Sequence, residues 1–324
     1  MVTSSAAGQR PTVSVIICAH STQRWDRLGN AVDSAISEQP DEVLIVIDHN
    51  ADLLRLAKDN LQRCSGSPAV RVVPNTATQG LSGARNTGIA LTDSEITVFI
   101  DDDAEALPGW LGHLVSPFDD PTVVAVGGRA LPARPDHFPA WWPHEYDWVV
   151  GCSWTGLPEV LSEVRNVIGC TMAFRREALV ATAGFDVRLG RVGANAAGCE
   201  ETELCMRLSR GGARVLYEPK ATVLHHIDRG RLTPRYFIRR CWAEGRSKAL
   251  IHRSLGGGAL GPERRFAADA LRRSFGIGAR AIARRDASGV GLAAATLGGL
   301  CTTGLAFVLP TLGKSALSTN TLSR

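Results

Sequence analysis

The sequence predicts an α/β fold built on a doubly wound, mostly parallel sheet, and three observations predict it. Short apolar, β-branched runs alternate along the chain with stretches whose apolar residues recur at helical spacing. The runs are apolar almost throughout rather than alternating, as strands covered on both faces are. Polar and acidic residues cluster immediately after the runs, where open α/β sheets carry their ligands.

The elements follow in order. Residues 12–19, Thr-Val-Ser-Val-Ile-Ile-Cys-Ala, read as a strand, and residues 28–36 as the helix that returns from it. The pattern repeats with a strand at 42–47, a helix at 51–64, a strand at 70–73, a helix at 83–91 and a buried strand at 96–100. The positions to inspect are therefore Ala19 and His20, residues 48–52, residues 75–85, and Asp101, Asp102 and Asp103. Next, Trp141, Trp142, Trp148 and Trp154 stand among prolines in the irregular segment 132–154, which is either a local aromatic core or a wall for a second substrate. A smaller unit follows, extended at 169–175, helical at 200–210, and extended again at 214–217 and 221–224.

Composition narrows the class. With 44% hydrophobic and 21% charged residues in 324, the chain is a normal globular protein with material for a large core. The net charge of +4 does not mark a nucleic-acid binder, and no such partner is expected. Its distribution is uneven: from residue 221 onward there are 17 basic and 5 acidic residues, against 19 and 27 before it. The eight cysteines form no C-x-x-C pair, and no signal-like segment opens the chain, which points to free thiols in the cytoplasm.

The carboxyl region has its own chemistry. Phe266, Ala270, Leu271, Phe275 and Ile282 fall near helical spacing in residues 263–285, surrounded by seven arginines, as in a basic amphipathic helix on an anionic membrane or an ordinary solvated helix. Residues 287–313 carry no charge and are long enough to cross a bilayer, yet are rich in Gly and Thr. They form either a single membrane helix or one that is buried or lies on a surface. If it spans, the preceding arginines keep the body on the cytoplasmic side.

The Asp101-Asp102-Asp103 triplet closes the last buried strand. Adjacent carboxylates repel one another and persist most easily where a divalent cation or a set of donors compensates them; oxygen ligands suit Mg2+ or Mn2+, which also engage a diphosphate. Glu200 and Glu201 follow a glycine-rich loop, 190–198, and begin a helix, which favours carboxylates for its dipole and also offers a general base. No G-x-G-x-x-G follows the first strand, which excludes a dinucleotide oxidoreductase.

Six pieces, Val13-Ser-Val-Ile-Ile-Cys18, Ile45-Val-Ile-Asp48, Gly80-Leu-Ser-Gly-Ala-Arg-Asn-Thr-Gly88, Phe99-Ile-Asp-Asp-Asp103, residues 169–176 and Cys199-Glu-Glu-Thr-Glu-Leu204, stand in one order. In that order and spacing the chain resembles the inverting family 2 glycosyltransferases of GT-A fold, over residues 12–250. The resemblance implies a nucleotide-sugar-binding half at 12–130 and an acceptor-binding and catalytic half at 131–250, while composition alone reads as a disordered leader at 1–11 and a basic and apolar extension at 251–324. It implies that Asp48 bonds the nucleotide base, that Ala19 and His20 line the base pocket, and that Arg85 lies near the nucleotide. Asp101 and Asp102 would approach ribose and sugar, while Asp103, with Asp101, would hold Mn2+ or Mg2+, and His225 or His226 would add a ligand. Glu201 is the implied base, ahead of Glu200, with Glu203 structural. Arg239, Arg240, Trp242 and Arg246 either contact phosphates or begin the basic surface. The implied partners are a nucleotide diphosphate sugar donor and a glycan or lipid-linked acceptor, with a membrane surface or one C-terminal membrane helix, at the cytoplasmic face of the plasma membrane. A sugar-phosphate nucleotidyltransferase, which usually carries a glycine-rich basic loop after the first strand, and a noncatalytic nucleotide-sugar-binding protein are the alternatives.

Overall fold

The computed structural model describes residues 10–63, 68–191, 198–255 and 261–312. Most of the expected leader, Cys64, the middle of the glycine-rich loop and Gly313 lie outside the described residues. The chain runs β1 (Val13–Ala19), α1 (Trp25–Ser37), β2 (Glu42–Ile47), α2 (Ala51–Asn60), β3 (Ala69–Pro74), α3 (Leu81–Leu91), β4 (Ile96–Asp101), β5 (Ala104–Ala106), α4 (Trp110–Val115) and β6 (Val123–Pro132). It continues with β7 (Ser162–Glu163), β8 (Thr171–Arg175), α5 (Arg176–Ala181), α6 (Glu200–Ser209), β9 (Arg214–His225), α7 (Pro234–Leu255), α8 (Gly261–Arg284) and α9 (Ala287–Leu312).

All strands join one sheet in the order β3-β2-β1-β4-β8-β6-β9-β5, with β7 on β9. The first four are parallel. Their β-branched side chains fill both faces: Val15, Ile17, Val43 and Ile45 pack with α1, while Ile16, Leu44, Val46 and Phe99 join the other core. The second half is mixed, because β8 runs antiparallel between β4 and β6. Parallel pairing puts the carboxyl ends of β1, β2, β3 and β4 on one rim, with Ala19 opposite Ile47 and Cys18 opposite Asp101.

Three-residue β5 pairs with the far end of β9 so that Ala104 faces His225. That register carries the chain directly from Asp103 to the histidines. The tryptophan-rich segment forms a third core: Trp142, Tyr146, Phe237 and Cys241 are buried together, and Trp142 Nε1 donates to Asp147 at 2.8 Å. α9 lies against α7, α8 and this core. Tyr146 Oη donates to the Thr296 carbonyl at 3.1 Å and Thr303 Oγ1 to the Cys241 carbonyl at 3.2 Å. The segment Ala287–Leu309 is long and apolar enough to cross a membrane by length and composition.

α3 begins hard against the strand ends. A Cβ on Gly83 would overlap the Thr78 carbonyl oxygen, which is itself held by Asn75 Nδ2 at 3.1 Å. Gly83→Ala therefore lowers stability by about 1–3 kcal/mol in urea unfolding, because overpacking outweighs the roughly 1 kcal/mol that helix propensity returns. A more stable variant would contradict this packing.

Candidate active site

The rim of β1–β4 gathers most of the charged candidates. Asp48 follows β2 and accepts from Asn75 Nδ2 at 2.7 Å and from the Gly80 amide at 2.9 Å, which ties it to the start of α3. Ala19 ends β1 and His20 follows it, its carbonyl accepting from Asn50 Nδ2 at 3.0 Å. Burial and Arg24 depress the His20 pKa.

Arg85, on α3, is only 2% exposed and reaches across the rim. Its guanidinium donates to Glu200 Oε1 at 2.8 Å and to the Gly169 carbonyl at 2.9 Å, and lies 3.4 Å from Asp101 Oδ1. Its cation sits over Phe185 at 5.2 Å and Phe99 at 5.9 Å. One side chain thus joins the aspartate triplet to the glutamates that open α6.

The three aspartates have different partners. Asp102 is paired with Arg24 Nη1 at 2.9 Å through Oδ1, while its buried Oδ2 has no partner. Asp103 Oδ1 lies 3.1 Å from His225 Nε2, and its Oδ2 lies 2.9 Å from Arg24 and 3.7 Å from Arg231. Burial pushes Asp102 up to about 7, with the neighbouring Asp103 and Asp101 adding to the effect. Burial also raises Asp101, against the pull of Arg85. For Asp103 burial is overcome, and His225, Arg24 and Arg231 hold the carboxyl well below the usual range.

Ligand atoms of Asp101, Asp103 and His225 all lie within 4.8 Å of one another, in a cluster that suits one divalent ion. Two carboxylates and an imidazole fit a hard to borderline metal, and the orphaned Asp102 Oδ2 lies in the same buried turn. His226 points elsewhere, its Nε2 2.7 Å from Glu105 Oε1. His225 is seated by Gly151, which takes φ +84° and leaves no room for a Cβ, the imidazole carbon lying 2.9 Å from that position.

Cys199, at φ +70°, turns the chain into α6 and places Glu200 and Glu201 at its first positions. Glu200 is buried against Arg85, with Oε2 unpartnered, whereas Glu201 is only half-buried. Burial and the adjacent Glu200 raise Glu201 to about 8. Glu203 pairs with Arg207 at 2.7 Å, as a structural residue would. α7 supports the turn from below: Cys199 Sγ donates to Glu244 at 3.2 Å, and Glu244 pairs with Arg240 at 3.1 Å. Arg240 is thereby committed to a buried pair, while Arg239, Trp242 and Arg246 face outward.

Arg24, Arg231 and Glu244 carry this site and were not singled out in the sequence, whereas Asn75 opened the inspected segment 75–85 without a role of its own. Arg24 and Arg231 had a weak signal, each being a cation in the loop after a strand that ends on the rim. Glu244 had none, since a glutamate in a helix is ordinary.

Comparisons with known proteins return glycosyltransferases. The family model described as Glycosyl transferase family 2 matches residues 14–181. A glucosyl-dolichyl phosphate glucuronosyltransferase from Haloferax volcanii is 31% identical over 243 residues, 74% of this chain and 77% of its own. A pre-mycofactocin glycosyltransferase from Mycobacterium tuberculosis is 31% identical over 160 residues, 48% of this chain but 32% of its own length. In fold, the mannosyltransferase PcManGT from Pyrobaculum calidifontis, solved with GDP-Man and Mn2+, superposes with a TM-score of 0.59 at 21% identity, covering 96% of this chain and 89% of that one.

The donor set makes a direct prediction. At about 100 times its Kd, Mn2+ stabilises the protein by about 2.7 kcal/mol, several degrees in Tm. Asp103→Asn loses that response, whereas His226→Ala keeps it. An undiminished shift in Asp103→Asn would remove Asp103 from the metal site.

Proposed function

The chain belongs to glycosyl transferase family 2, and from that premise we propose a metal-dependent, inverting transfer of a sugar from a nucleotide diphosphate donor to a hydroxyl of a lipid-linked glycan. The observation that carries this reading is the Arg85 bridge, which holds Asp101, a carboxylate suited to a metal, and Glu200, the neighbour of the base Glu201, around one guanidinium.

Asp101, Asp103 and His225 would hold the ion, and Mn2+ matches a set that includes imidazole better than Mg2+ does. When bound, such an ion neutralises charge on a departing diphosphate. The remaining work falls to the chain itself. The Glu201 carboxylate takes the proton of the acceptor hydroxyl as its oxygen bonds to the anomeric carbon. The bond to the diphosphate oxygen breaks on the opposite face, and attack from the face away from the leaving group inverts the centre. Arg85 keeps Glu200 anchored beside Glu201, and the negative charge of Glu200 keeps the base basic. Ala19, His20, Asp48 and Asp102 line the donor side of the rim, at the ends of β1, β2 and β4.

A lipid-linked acceptor is supported by the Haloferax volcanii relative, whose name specifies a glucosyl-dolichyl phosphate substrate, and by the apolar C-terminal helix. Both support a location at a membrane, and the arginines flanking that helix suit the anionic cytoplasmic leaflet.

The base assignment has a pH signature. A base titrating near 8 must be ionised to act, so kcat/KM rises about tenfold per pH unit below that value and levels above it. Glu201→Gln lowers kcat by roughly 10²–10⁴-fold and still binds donor, measured as nucleoside diphosphate release from a nucleotide-sugar panel with Mn2+. Retained turnover in Glu201→Gln would transfer the role to another residue.

A further inference from the structure

The exposed side of the C-terminal helices has a composition that neither the active site nor the core uses. Apart from Pro234 and Ser254 near its ends, the exposed residues of α7 form a single stripe at three- and four-residue spacing: Arg235, Ile238 and Arg239, Trp242, Arg246, Leu250, and Arg253. Every member is a large apolar residue or an arginine. The one acid of α7, Glu244, is buried on the opposite side beneath Cys199. α8 exposes Phe275 and Ile282 by 67% and 71% beside Arg280 and Arg284, while its exposed Asp269 pairs with Arg272 at 3.3 Å. α9 adds Val290, Leu305, Val308 and Leu309, each more than two-fifths exposed.

α9 is not free to stand apart from this layer. Gly289 packs on Ala281 of α8, Thr296 is held by Tyr146, Thr303 by the backbone of Cys241, and the Phe307 ring meets His252 of α7 at 5.6 Å. Those attachments run along most of its length. A helix fixed to a charged, folded body over that distance lies along a surface with the body and does not cross a bilayer at right angles to it.

We propose that α7, α8 and α9 form one docking face that seats the protein on an anionic bilayer, apolar side chains entering the headgroup region and arginines meeting lipid phosphates. Charge complementarity selects this occupant: exposed arginines interleaved with large apolar residues suit an apolar layer beneath a negative surface, whereas a second copy of the same basic face repels it. The proposal deepens the membrane placement given above and is independent of the chemistry at Glu201.

The test uses the full chain and sedimentation with vesicles of phosphatidylcholine alone or containing about one-third phosphatidylglycerol. The wild type pellets with the anionic vesicles, is released by high salt or alkaline carbonate, and stays in solution with neutral ones. Ile238→Ser combined with Leu250→Ser and Phe275→Ser weakens binding at least about tenfold, as does Arg235→Glu with Arg253→Glu. Nucleoside diphosphate release with a water-soluble acceptor is unchanged in both sets. Equal binding to neutral vesicles, retention after carbonate extraction, or a dimer that ignores vesicles would each overturn the proposal. Loss of turnover in a wild type that still binds vesicles would overturn the catalytic reading instead.

Discussion

The architecture of the site depends on a buried cation. Arg85 is almost inaccessible, yet it meets Glu200, Asp101 and a carbonyl from three separate segments and lies over two aromatic rings. Burying a guanidinium is costly, and only several well-aimed acceptors offset that cost. Here the acceptors are groups that themselves require a cation. The two halves of the sheet are thereby fastened at the edge where donor and acceptor would meet, and a lysine, with no planar fork, does not span the same three partners.

Around that fastening, negative charge is distributed unevenly. Asp103 keeps its charge through His225, Arg24 and Arg231, while Asp102 and Glu201 are pushed toward protonation by burial and by their neighbours. Neighbouring carboxylates with such different environments divide naturally between roles: one set grips positive charge and one accepts a proton. Backbone geometry supports the division. The turn between β4 and β5 brings Asp101 and Asp103 together with His225, and Arg24 bridges Asp102 and Asp103.

The parallel half of the fold was legible in the sequence because each strand there is a continuous β-branched run followed by an amphipathic helix. The other half was less so. β5 is Ala-Glu-Ala, without strand propensity of its own, and exists because β9 supplies a partner. The aspartates and glutamates could be read as clusters along the chain. Arg24 and Arg231 could not, since each acquires meaning only when the loops after β1 and β9 converge on Asp103 from opposite ends of the sequence. The choice between His225 and His226 likewise rests on register: adjacent side chains at the end of a strand face opposite ways, and only the His225 imidazole meets the Asp103 carboxylate.

α7 has two sides with unrelated duties. Inward, Glu244 and Arg240 hold the turn that delivers Glu200 and Glu201; outward, its arginine and apolar side chains have no partner in common with them. Changes at positions that share no partners combine nearly additively. Where the protein sits and how fast it works are consequently separable traits, and a lineage can retune one without rebuilding the other.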